Sequence, residues 1–218
     1  MAEMRSEEEQ LEALKRWWKE NGTSLIAGAA LAAAGVFGWN AWQDYQAGQA
    51  EAASQRYQQL LTLSGQDSLD GAARQRADAL ATTLAEDHGD SLYADLGRLL
   101  EARLAVRDGD SEAARAALEG LAADGDRPYL QGLARLRLAR LQLAGEDAEA
   151  ALATLDVALP SPLAAQRAEI RGDAHLALGD REAARRAWQE ALALSEDSDQ
   201  PLYGVQLKLD DLGVEETS

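Results

Sequence analysis

Side chains able to do chemistry are few in this sequence and poorly placed for it. The two histidines, His88 and His175, lie far apart, and no cysteine is present to join either in a metal or nucleophilic site. Zero Cys also removes a lipobox anchor, a c-type haem attachment, disulfides and any thiol nucleophile. His88, in the run Glu-Asp-His-Gly-Asp, reads as an exposed helix-end residue, and His175 as a helix-packing one. The acidic run from Glu196 to Asp199 lacks the dense oxygen-ligand spacing of a calcium loop and reads as a solvated turn. No catalytic residue, cofactor or metal site is therefore expected, and the chain reads as a non-enzyme. With 21 Lys and Arg against 38 Asp and Glu, the net charge is −17, which excludes nucleic acid and disfavours anionic lipid as partners for the bulk of the chain.

The elements that carry these residues are helices: Ala and Leu abound, β-branched residues are few, and only four Pro interrupt 218 positions. Four of the five Trp fall within residues 17 to 42, around a run with no charged side chain between Glu20 and Asp44. At ~1.5 Å per residue, Gly22 to Trp42 spans about 30 Å, the thickness of a hydrocarbon core. Trp17 and Trp18 at one end and Trp39, Trp42 and Tyr45 at the other match the aromatic belts of the two interfaces. A cleaved secretory signal and a buried soluble helix are the alternatives for such an Ala- and Gly-rich run. Against cleavage, small-x-small steps sit inside the run, and a helical pattern continues through Ala50, Ala53, Tyr57, Leu60 and Leu61.

Arg5, Lys15, Arg16 and Lys19 precede the span, whereas the first basic residue after it is Arg56, so the positive-inside bias puts the N-terminus in the cytoplasm. The four basic and six acidic residues of the first 43 leave 17 basic and 32 acidic for the rest, which then lies in the periplasm of a bacterial inner membrane. Ser6 and Glu9 form a capping box that starts the short arm, either an orienting stub or a docking surface. Gly28, Ala32, Gly35 and Gly38 would let another transmembrane helix approach closely, a spacing that also arises by chance in such a helix.

The C-terminal half repeats. Gly179-Asp180 matches Gly145-Glu146 at a period of 34, and residues 165–198 place Gly172, His175, Gly179, Ala184, Trp188 and Ala191 in the slots of the tetratricopeptide pattern. Small residues let paired helices approach while one large ring fills the gap beside them. Asp180 is the expected N-cap of the second helix. In the preceding unit, 131–164, Gly145, Ala150 and Pro162 keep this register, but Leu138 and Thr154 replace the expected Gly and aromatic residue. A third unit near 95–128 has Ala102, Gly109, Ala114, Leu118 and Pro128, with Arg98 and Glu101 where core residues belong. Three helix pairs are expected.

Residues 44–88 predict two further helices joined by a polar turn, and Leu202, Val205, Leu209 and Leu212 predict an amphipathic capping helix. The fold class is all-α: an N-terminal single transmembrane helix followed by a tetratricopeptide-like α-solenoid with a C-terminal cap. Its expected domains are a cytoplasmic arm (1–20), the transmembrane helix (21–43) and a periplasmic repeat domain (44–218). Stacks of this kind bind peptides or proteins on the face lined by the first helix of each pair. That geometry nominates Arg103, Arg107, Arg135, Gln142, Gln166, Glu169 and Asp173 as a groove, with simple solvation the alternative for each.

The order of features resembles the YfgM-like family, ancillary subunits of the bacterial SecYEG translocon. The similar parts are the stretch from Gln10 to Gly22 with its Lys-Arg-Trp-Trp, Gly38-Trp39, Arg137-Leu-Ala-Arg140, Arg171-Gly172-Asp173, Gly179-Asp180, Ala187-Trp188, and the closing Gln206-Leu-Lys-Leu-Asp-Asp-Leu212. The resemblance implies a single-pass inner-membrane protein. Its periplasmic domain would work beside SecYEG with a membrane-anchored prolyl-isomerase-type chaperone (PpiD) and client polypeptides, and the family carries no catalytic residues. A scaffold for another envelope machine, such as cytochrome maturation or cell division, is the alternative. The part after the span is unusually Arg-rich, with Lys208 its only Lys.

Overall fold

The computed structural model describes residues 7–66, 68–198 and 201–215. The expected capping box rests on Ser6, and the acidic turn on Asp199, both outside the described residues. All regular structure among the described residues is helical. The chain divides into two compact units, Met1–Glu51 and Ala52–Ser218.

Helix α1 runs from Glu7 to Ser64 without a break. Within the first unit its apolar stretch is uncovered: Leu31 is 75% and Phe37 74% exposed, and Leu25, Ile26 and Val36 are exposed beside them. Apolar surface left bare on every side of a helix is unfavourable in water. This helix is long and apolar enough to cross a membrane. Near its start the Trp18 ring covers Gly22, and near its end Trp39 and Trp42 pack with ring centroids 5.2 Å apart.

The second unit begins at Ala52, one residue before α1 first buries a side chain, Ala53. The end of α1 shares a core with α2 (Gly71–Asp87) and the helix after it, through Leu60, Ala77, Ala81, Leu84, Leu100 and Leu104. Three pairs follow: α3 (Leu92–Arg107) with α4 (Ser111–Asp124), α5 (Pro128–Ala144) with α6 (Ala148–Leu155), and α7 (Ala164–Ala177) with α8 (Arg181–Ser198). Each second helix packs on the first helix of the next pair, and first helices touch along the stack, α3 with α5 and α5 with α7. Pro128 opens α5, and Pro162 lies in a 3-10 turn (Ser161–Leu163) leading into α7. Helix α9 (Val205–Glu215) closes the end as expected, burying Val205 and Leu212 against Trp188.

The three inter-helix turns are built alike and reset the repeat register. The N–H groups of Asp110, Asp147 and Asp180 each donate at 2.9 Å to the carbonyls of Ala105, Gln142 and His175. Their side chains accept from the N–H groups of Ala113, Ala150 and Ala183 at 2.9, 3.1 and 2.9 Å, capping α4, α6 and α8. Each cap is worth about 1 kcal/mol. The residue before each Asp has a left-handed backbone: Gly109 at φ 78°, Glu146 at 61° and Gly179 at 81°.

Glu146, not Gly145, is therefore the counterpart of Gly179, and the middle unit slides by one residue from the register read in sequence. Its small helix-A residue is Ala139 rather than Leu138, and its helix-B residues are Ala151 and Leu155 rather than Ala150 and Thr154. All three are fully buried. The repeat is regular: Ala102 shares a core with Leu118, Ala139 with Leu155, and Gly172 with Trp188. Bulk on one helix trades against bulk on its partner. A Cβ on Gly172 would lie 2.3 Å from Trp188, so only glycine admits the indole.

Arg98 and Glu101 of α3 are half-buried rather than core. Burial, then repulsion from Asp78 of α2, raises the Glu101 carboxyl above its ordinary range.

Candidate protein-binding surface

The seven nominated residues fall into three groups. Two are clamps on backbone. Arg107 donates to the Gln66 carbonyl at 2.6 Å, and Arg135 to that of Ala122, in the last turn of α4, at 2.6 Å. Arg74, Arg167 and Arg181 reach the carbonyls of Leu104, Leu155 and Leu212 at 3.4, 2.7 and 3.0 Å, near the negative dipole end of α3, α6 and α9. This is a structural use for the Arg-rich composition. Gln142 is buried, accepting from the Thr154 hydroxyl at 2.8 Å, and so ties α5 to α6.

Glu169 and Asp173, one turn apart on α7, converge on α9. The Lys208 ammonium lies 3.1 Å from Glu169 Oε1 and 2.7 Å from Asp173 Oδ1, and 5.8 Å from the centre of the Trp188 ring. The indole N–H donates to Asp173 Oδ1 at 3.1 Å and to the Glu169 carbonyl at 3.2 Å. The chain's own cap thus engages both carboxylates with one ammonium. Gln166 is half-buried earlier on α7.

Arg103 alone of the seven lines an open cavity on the first-helix side. The cavity holds about 350 Å³ between α3 and α5 and has an apolar floor of Val106, Leu118 and Leu141. Its rim carries Arg137 and Arg140 as well. Arg137 donates weakly to the Leu99 carbonyl at 3.4 Å, and Arg140 reaches Glu169 at 3.7 Å, the edge of ion-pair range. Burial, then the neighbouring charges of Arg103 and Arg140, pulls the Arg137 guanidinium below its usual pKa. Arg135 lines a separate recess of about 360 Å³ with Glu119, Leu138 and Thr154, between α4, α5 and α6.

Arg140, which lines the same cavity, is absent from the nominated groove because the one-residue slip hides it. In the corrected register Arg103, Arg140 and Asp173 occupy one position of successive units, each directly after Ala102, Ala139 or Gly172. The aspartate caps, which mark that register, were the available signal.

His88 caps the end of α2, but it is 8% exposed, not the exposed residue expected. The tight connection to α3, in which the Ser91 N–H donates to the His88 carbonyl at 2.8 Å, folds it inward. Its Nε2 has no hydrogen-bond partner. His175 is half-buried in its packing slot. Among the described residues no three His, Asp or Glu side chains gather to hold a metal ion.

Residues 15–214 match the model of the tetratricopeptide repeat-like domain family. Two proteins called ancillary SecYEG translocon subunit, from Haemophilus influenzae and Aggregatibacter actinomycetemcomitans, are each 31% identical over 95% of this chain and 98% of their own length. A third of that name, from Escherichia coli, is 34% identical over 96% of this chain and 98% of its own. No solved structure matches the chain. With a repeat register set by aspartate caps, one long apolar helix at the start and similarity along nearly its whole length, the chain belongs to the tetratricopeptide repeat-like family of ancillary SecYEG translocon subunits, the YfgM-like proteins.

Proposed function

We propose that this protein is a membrane-tethered, non-catalytic adaptor of the SecYEG translocon. Residues 21–43 cross the inner membrane once, residues 1–20 stay in the cytoplasm, and residues 44–218 form a periplasmic repeat domain. That domain engages the translocon, a prolyl-isomerase-type chaperone such as PpiD, and emerging client chains on the side lined by α3, α5 and α7. The observation that carries the reading is the near end-to-end similarity to three relatives named as translocon subunits. The charge asymmetry around the span supports the orientation. Tethering raises local concentration at the exit site, so weak individual contacts suffice.

A photo-crosslinking residue placed at Val106 of the full chain in native membranes should yield adducts with SecYEG or with the chaperone. Clean absence of both, with the protein present at normal level, would sink the adaptor reading. A reporter fused after Ser218 should be active only in the periplasm; a cytosolic readout would reverse the topology.

A further inference from the structure

We propose that the cavity between α3 and α5 is a binding site for a polypeptide segment that presents a carboxylate beside an apolar side chain. This rests on the adaptor reading and names the chemistry of what is captured. Three guanidinium groups, from Arg103, Arg137 and Arg140, surround one cavity in a chain of net charge −17. No ion pair joins Arg103 to an acidic residue among the described residues, and Arg140 is only distantly matched by Glu169. Arg137 keeps its charge at neutral pH although half-buried and set beside Arg103 and Arg140, so the three like charges repel one another. A bound anion offsets that repulsion.

The shape of the site narrows the choice of anion. Its volume falls in the range of ligand pockets, about 300–1,000 Å³. Leu118, Val106 and Leu141 form a floor that rewards an apolar group, while forked guanidinium donors match a planar carboxylate. A bare phosphate headgroup would leave that floor unfilled. The net charge of −17 works against non-specific attraction of an anionic bilayer or an acidic peptide, so a cluster of three arginines is the exception to the chain's balance.

Fluorescent decapeptides that alternate leucine with glutamate, leucine with glutamine, and serine with glutamate separate the two contributions. With the full chain in neutral detergent micelles, anisotropy titrations should show the leucine–glutamate peptide binding at least about tenfold more tightly than either control. Arg103→Glu should remove about tenfold or more of that affinity, Arg103→Lys should lose less than the charge reversal does, and Arg137→Gln should weaken it with helix content unchanged by circular dichroism. Equal binding of the glutamine peptide, or full binding by Arg103→Glu, would overturn the proposal. So would capture of phosphatidylglycerol vesicles through the same arginines without any preference among the peptides. If the peptide results fail while the Val106 crosslink to SecYEG persists, only this pocket falls; if crosslinks vanish while peptides still bind, the adaptor reading falls instead.

Discussion

The same repeat position is treated in opposite ways at the C-terminal end of the stack and in its middle. At α7 it holds Asp173, which with Glu169 is sealed by Lys208 and the Trp188 indole when α9 folds over. At α3 and α5 it holds Arg103 and Arg140, which stand over an apolar cavity with little opposing charge. One ladder of charges therefore serves closure at its C-terminal end and stays available in the middle. The sign of the residue matters less than whether the chain itself supplies the counter-charge.

Removing the ring that anchors the closed end should have the largest effect. Trp188→Ala leaves a cavity opposite Gly172 and should cost about 3–5 kcal/mol in urea unfolding of the full chain in detergent, followed by circular dichroism. A loss below about 1 kcal/mol would mean that Trp188 is not the keystone of that end. Lys208→Ala should cost less, about 1–2 kcal/mol, because its side chain is a third exposed. The loss should appear as faster hydrogen exchange confined to α9; uniform acceleration across α3 to α8 would contradict a local latch.

The middle and C-terminal turns offer a matched test. Glu146 occupies the left-handed conformation that Gly179 occupies one unit later, so Glu146→Gly should stabilise the protein by about 1 kcal/mol, read as a higher melting midpoint. Glu101, beside the open region, works against folding at neutral pH. Its folded pKa is raised, so the penalty is present above that pKa and fades as protonation neutralises it on acidification. Glu101→Gln should raise the urea midpoint at pH 7 and leave it unchanged once the pH drops below the ordinary glutamate range; a lower midpoint at pH 7 would contradict the assignment. The smallest effect belongs to Arg103→Glu, which should change stability by less than about 0.5 kcal/mol. A large loss there would show that the open arginines hold the fold together, erasing the contrast with Lys208.

Much of this arrangement was legible before any coordinates. The Gly-Asp turns, the Gly172/Trp188 exchange of bulk and the 3, 4, 3 spacing after Leu202 are local patterns, and each marks a helix pair or its cap. The middle register is hidden in the sequence because Gly145 looks like the anchor of the turn. Its real anchor is the aspartate, and in one turn a glutamate occupies the left-handed position. That slip then concealed Arg140 as the partner of Arg103 and made Leu138 and Thr154 look like defects.

By itself the sequence determined the helical class, the apolar helix with its charge bias and the number of repeat pairs, because composition and periodicity act through neighbouring residues. Only the tertiary structure decided which charges are satisfied. Lys208 meets Asp173 from 35 residues away, Arg135 turns to clamp α4, His88 is folded inward, and Arg103, Arg137 and Arg140 gather around one cavity. Such pairings depend on how helices stack, and spacing along the chain does not encode the distance between side chains on different helices.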